Sequence, residues 1–174
     1  MFLIPGFLIA IVTFPGVIVH EAAHRFFCDI GGVPVYKVCY FRVGDPSGYV
    51  IHGATDRLRT HFLITIGPLI INTVLCAIIS FTAIVAFKLD VADEPIIFPL
   101  LLWLGISIGM HAIPSAVDVQ SFSQAVRAAG AGTLQYGTAK AFEYFIRFAN
   151  RLRIVWFDLF YAVGVAMVLP LIVS

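Results

Sequence analysis

The stretch 2-FLIPGFLIAIVTFPGVIVHEAAHRFF-27 decides the fold. A membrane helix needs about 20 mostly apolar residues, and this run supplies them, interrupted near one end by His20, Glu21 and His24. It has no basic leading region, its apolar run is long, and no small-residue cleavage site follows, so it reads as a retained helix rather than a signal peptide. Three further apolar segments follow, at about Phe62–Phe87, Ile96–Ile113 and Ile154–Val173. The composition agrees: 60% of the 174 residues are hydrophobic and 12% charged, where a soluble domain carries about 25% charge. Mean hydropathy is +0.98. Disorder is excluded on these grounds, the scarcity of polar residues argues against a soluble globule, and a net charge of +1 gives no field for nucleic acid.

The basic residues orient the four segments. Arg25, Lys37, Arg42, Arg57 and Arg59 lie between the first and second, and Arg127, Lys140, Arg147, Arg151 and Arg153 between the third and fourth. Only Lys88, beside Asp90, Asp93 and Glu94, falls on the other side. The expectation is a multi-pass protein of a bacterial or archaeal cell membrane, with the basic side cytoplasmic and both termini outside.

Two connections carry structure of their own. Val33–Val43, the turn cluster Gly44-Asp45-Pro46-Ser47-Gly48 and Tyr49–His52 predict a β-hairpin with a five-residue loop, apolar enough to sit in the membrane interface. From Ser115 to Arg153, Ala141, Phe145, Phe148, Ala149 and Leu152 recur at helical spacing beside Arg147 and Arg151, which predicts a basic amphipathic helix on the cytoplasmic face. Gly130-Ala131-Gly132 breaks that stretch in two. The fold class is therefore an all-α membrane protein: about four transmembrane helices, a membrane-associated β-hairpin and a cytoplasmic amphipathic helix. It forms one domain over 1–174, with its core at about 10–122, the amphipathic connection at 123–153 and the last helix at 154–173.

Ionisable groups inside a membrane helix are costly and are functional suspects. His20-Glu21-Ala22-Ala23-His24 is H-E-x-x-H. Residues four apart share a helix face, so both imidazoles can ligate one Zn²⁺, and Glu21 is placed as general base toward a water that the metal activates. A structural polar cluster or a non-catalytic metal site are the competing readings. Zinc needs a third protein ligand. The pattern with a third His six residues on is absent, because position 30 is Ile30. Cys28, one turn past His24, is possible. Glu94 is on the wrong side and Glu143 lies in the interfacial helix. Asp118 is the best candidate, but Pro114 ends the third helix and Ser115-x-x-Asp118 is a capping-box pattern, so spacing alone leaves ligand and cap open. The three cysteines, Cys28, Cys39 and Cys76, form no C-x-x-C pair and read as buried thiols.

Three pieces in order resemble the site-2 protease family of intramembrane zinc metalloproteases. They are His20–His24, Gly67-Pro68-Leu69-Ile70-Ile71-Asn72 (similar to that family's G-P-x-x-N), and His111-Ala112-Ile113-Pro114-Ser115-Ala116-Val117-Asp118 (similar to its asparagine–proline–aspartate–glycine segment). The likeness spans about residues 10–122 and implies a divergent, minimal member: His111 stands where the family has asparagine, and Val119 where it has glycine. It implies that Asp118 is the third zinc ligand and that Glu21 is catalytic. It favours Asn72 as a group that holds substrate or an oxyanion, with a bond across to a neighbouring helix as the alternative, while His111 is a donor to a carboxylate, an auxiliary oxyanion stabiliser or a buried, satisfied histidine. The implied activity is hydrolysis of a peptide bond in or near the transmembrane segment of a membrane-protein substrate, close to the cytoplasmic face. A metal transporter or sensor and a catalytically inactive helix-binding relative are the alternatives. His52 and His61 read as interfacial, Asp158 as paired with an arginine, and Gly105-x-x-x-Gly109 as a close-packing motif.

Overall fold

The computed structural model describes residues 6–89, 96–128, 134–152 and 155–173. The chain is mostly helical with one small antiparallel sheet, in the order α1 (Gly6–Val12), α2 (Phe14–Gly31), β1 (Val35–Cys39), β2 (Tyr49–His52), α3 (Leu58–Lys88), α4 (Ile97–Met110), α5 (Ala116–Ala128), α6 (Leu134–Leu152) and α7 (Phe157–Val173).

The opening run is not one straight helix. It bends by 92° between α1 and α2. Pro15 enters the first turn of α2, where its missing N–H costs nothing. Thr13 stands at the break and turns its hydroxyl back onto the Ile9 carbonyl at 2.7 Å. At the other end, Gly32 adopts the left-handed conformation (φ 67°), and its N–H reaches back to the Asp29 carbonyl.

α3 is the one described helix long and apolar enough by itself to cross a membrane; counting the bent pairs α1–α2 and α6–α7 as single spans gives up to three. The third expected span is shorter than its sequence suggested, since α4 has 14 residues and ends at Met110. The acidic loop containing Asp90 and Glu94, Arg153, and the Gly130–Gly132 break lie outside the described residues, although separate helices α5 and α6 do flank that break.

The central helix α3 packs against α2, α4 and α7. Its buried stripe is small or polar: Pro68, Asn72, Cys76, Ser80 and Ala83. The opposite stripe, Ile70, Val74 and Ile78, is exposed. Gly105 and Gly109 explain how α4 comes so close. A methyl at Gly105 would strike Ser80 Oγ, and one at Gly109 would lie 2.6 Å from Cys76 Sγ and 2.9 Å from Ala162 Cβ. The expected close-packing role of this pair holds.

The hairpin exists with register Val35↔His52, Lys37↔Ile51, Val38↔Val50 and Cys39↔Tyr49, and a bulge between Val35 and Lys37. Its connection is longer than the five residues expected, because β1 ends at Cys39. Beyond the ladder the Arg42 N–H still donates to the Ser47 carbonyl at 2.7 Å, and Arg42 Nε donates to the Pro46 carbonyl at 2.8 Å. The tip is thereby folded back rather than open. α5 and α6 pack on each other beside α3. Phe122, Val126 and Ala139 form a small core with Phe62 and Phe142 around it.

Candidate metal centre

Helical spacing places His20 and His24 one turn apart on the buried side of α2, with Glu21 beside them. All three are less than a tenth exposed. Asp118 arrives from the first turn of α5. Among the described residues, the His, Cys, Asp and Glu side chains that could share one metal ion are His20, His24 and Asp118.

The hydrogen bonds define what these groups present. His20 Nδ1 faces the His111 carbonyl, and His24 Nδ1 faces the Ile64 carbonyl at 3.0 Å. A carbonyl oxygen can only accept, so each Nδ1 carries a proton and each ring turns Nε2 inward, the nitrogen that ligates a metal when it is unprotonated. The two Nε2 atoms lie 3.2 Å apart. Asp118 Oδ1 is 3.4 Å from His24 Nε2, and Oδ2 is 3.7 Å from His20 Nε2. Lone pairs so close repel unless a cation lies among them. Zinc bonds of about 2.0–2.2 Å in a tetrahedron set ligand atoms about 3.3–3.6 Å apart. The observed separations of 3.2, 3.4 and 3.7 Å lie within about 0.1 Å of that range, so the donor set fits zinc.

Asp118 is a cap as well. Its Oδ2 accepts from the Ser115 N–H and the Ser115 hydroxyl, both at 2.7 Å, and its own N–H donates to Ser115 Oγ at 3.3 Å. The Ser115 N–H and hydroxyl donate to the carboxylate and favour its ionised form, the form that ligates a metal. Asn150 Nδ2 donates to the Pro114 carbonyl at 3.0 Å, so α6 steadies the turn that delivers Asp118.

No protein-family model matches the chain, and neither a curated protein nor a solved structure matches it.

The centre opens on a cavity of about 720 Å³. Its walls come from α1 (Phe7, Ala10), the hairpin tip (Pro46, Ser47, Gly48), β2 (Tyr49, Val50, His52) and the ends of α4 and α5, with Glu21 among the lining residues. The tip lies directly on Glu21: a methyl at Gly48 would sit 2.7 Å from Glu21 Cγ and 2.9 Å from Oε1. Only a glycine lets backbone approach the carboxylate this closely.

Other expected site residues are placed differently. The oxyanion role expected for Asn72 does not fit its geometry. Its side chain is fully buried, Nδ2 donates to the Gly16 and Ile108 carbonyls at 3.3 and 3.0 Å, and it is not among the described residues lining the cavity. Asn72 ties α3 to α2 and α4. His111 meets the site through its main chain, as acceptor for His20, while its ring Nε2 lies 2.7 Å from Thr13 Oγ1. Cys28 is buried against Val33 and Ile64, apart from the ligand group. Glu143 lies in α6, paired with Lys140 and Arg147. Asp158 lines the cavity from the first turn of α7. His52 and His61, read as interfacial, also line it, and His61 Nε2 lies 3.3 Å from Ser121 Oγ. Thr13, Gly48 and Asn150 carried no signal in the sequence, because each acts across a long-range contact.

Proposed function

We propose that the protein is an intramembrane zinc metalloprotease, similar to the site-2 proteases, that cuts a membrane-protein substrate near the cytoplasmic face. The observation that carries this reading is the convergence of three potential ligand atoms, on His20, His24 and Asp118, at a cavity that also holds Glu21. His20, His24 and Asp118 would hold the zinc, which supplies Lewis-acid polarisation of a carbonyl and lowers the pKa of water.

Glu21 accepts the proton of the attacking water as the O–C bond forms at the peptide carbonyl. It then delivers that proton to the leaving amine nitrogen as the C–N bond breaks. The hairpin supports substrate capture. A helix hides its carbonyls, so the target must be extended, and the two-stranded sheet has a free edge along β2 whose residues Tyr49, Val50 and His52 line the cavity. Strand addition there brings an extended segment beside Glu21.

The membrane topology belongs to this proposal: four apolar segments, basic connections in the cytoplasm, both termini outside. Supporting it is the inside-out pattern of α3, with small and polar residues within and Ile70, Val74 and Ile78 without. That is how helices pack when lipid, not water, surrounds them.

The test uses the purified full chain in detergent micelles with Zn²⁺ and single-span test proteins, with products read by mass spectrometry. Wild type is expected to cleave. Glu21→Gln is expected to lose about 10²–10⁴-fold in rate while still binding one zinc. Cleavage surviving that substitution rejects the mechanism, and a wild type that binds zinc without cutting favours a transporter or sensor.

A further inference from the structure

We infer that Thr13 is a positioning residue for the metal ligand His20, acting through His111. The inference rests on reading His20, His24 and Asp118 as a metal centre.

Three consecutive hydrogen bonds make the link, and their directions are fixed by chemistry. The His111 carbonyl can only accept, so His20 Nδ1–H donates to it. The Thr13 hydroxyl proton goes to the Ile9 carbonyl at 2.7 Å. Its oxygen must therefore accept the second contact, and His111 Nε2–H donates to it at 2.7 Å. The order runs from the end of α1, through the α1–α2 break, to the end of α4 and onto the ligand. Each group serves the next: Thr13 fixes the His111 ring, the fixed ring holds the turn after Met110, and that turn aims the carbonyl at His20.

The surroundings are built to hold this link. Thr13 is buried, at 7% exposure. Gly16, one turn on, leaves room for the ring, since a methyl there would lie 2.6 Å from His111 Cδ2 and would strike the Ser107 carbonyl. The Gly16 N–H also donates to Ser107 Oγ at 3.3 Å, holding the start of α2 against α4. A threonine hydroxyl in an apolar run, placed where the helix turns by 92°, thus has a partner on each side. Partners that orient a ligating histidine typically matter about 10–100-fold in metal affinity.

The experiment is a competition titration of Zn²⁺ against a chromophoric chelator, on the purified full chain in detergent micelles. Co²⁺ visible absorption serves as a second readout of ligand geometry. Thr13→Val keeps the shape and removes the oxygen, so zinc should bind about 10–100-fold more weakly and the Co²⁺ band should shift. Thr13→Ser restores the hydroxyl and should bind as wild type does. The double variant Thr13→Val/His111→Ala should be no weaker than His111→Ala alone, because both cut one link. Wild-type affinity in Thr13→Val, or fully additive losses in the double variant, overturns the inference. If Thr13→Val does not fold, His111→Ala must itself show the loss, and unchanged affinity there overturns it equally. Wild type binding zinc no better than His24→Ala rejects the metal centre itself, a result distinct from intact binding that ignores Thr13.

Discussion

A carboxylate has two oxygens, and both of Asp118's reach the site. Oδ2 accepts from the Ser115 N–H and hydroxyl and also faces His20, while Oδ1 faces His24. Cap and ligand, which the spacing S-x-x-D leaves as rivals, are therefore one role: the cap fixes the rotamer that the ligand needs. Asn72 shows the opposite outcome. With both amide protons donated to carbonyls of α2 and α4, its truncation should act on stability rather than chemistry. Asn72→Ala should cost about 1–3 kcal/mol, for the two hydrogen bonds lost between helices. Denaturation in micelles should register this loss while the zinc affinity of the folded fraction stays within about threefold of wild type. A selective loss of turnover without destabilisation would restore its substrate role. His20, Glu21 and His24 were legible from sequence because their geometry is local to one helix. Asp118 was half legible, since its approach depends on how α5 packs. Thr13 and Gly48 were not legible at all: only the fold brings Thr13 to His111, and only the hairpin tip brings Gly48 to Glu21.

Elements show the same division between local and distant causes. Hydropathy reports length and not direction, so the apolar run at the start looked like one span, although Pro15 is a helix-start residue and marks the bend. The hairpin follows from the turn cluster Gly44–Gly48 between its two apolar runs, and α3 from a long apolar run. Helix α6 was legible as amphipathic, but its polar seam was not. Glu143 is buried on its inner side beside Ile146 and Ala149, clamped by Lys140 at 3.2 Å and Arg147 at 3.0 Å, and Arg147 reaches on to Ser123 of α5 at 2.9 Å. Burial raises the energy of this charge, while the hydrogen bonds around it and the Lys140 charge outweigh burial and hold its carboxyl below the ordinary glutamate range. A carboxyl depressed in the folded state stabilises fully above its unfolded value, about 4.3, and that contribution is lost as pH falls through the folded value. Melting followed from pH 7 to pH 3 should therefore drop less steeply in Glu143→Gln than in wild type. Glu143→Gln should also be less stable at pH 7, by about 1–2 kcal/mol. Parallel curves would show that the α5–α6 clamp contributes nothing.

At the scale of the molecule, the arrangement of α3 makes sense only if its outer surface meets something apolar. At about 1.5 Å per residue its 31 residues reach about 46 Å, more than the roughly 30 Å of a hydrocarbon core. Ile70, Val74 and Ile78 face outward along its middle, whereas Asn72, Cys76 and Ser80 face its neighbours. His20, Glu21 and His24 lie near the middle of α2, with the hairpin tip against Glu21, and basic residues concentrate toward the end of α2 that joins the hairpin. If α3 crosses the bilayer once with that end in the cytoplasm, the two ends of α3 must differ in access. The natural thiols provide the probe. Cys28 and Cys76 are fully buried, whereas Cys39 at the end of β1 is partly exposed. A membrane-impermeant maleimide should label wild type at Cys39 in inverted membrane vesicles and not in right-side-out vesicles. In Cys39→Ser/Leu89→Cys, whose new thiol lies just past α3 at a position 67% exposed, labelling should switch to the right-side-out vesicles. Both thiols reacting from one side would mean that α3 does not cross. The reverse assignment would put Glu21 and its ligands at the outer face, and the substrate's cleavage site with them.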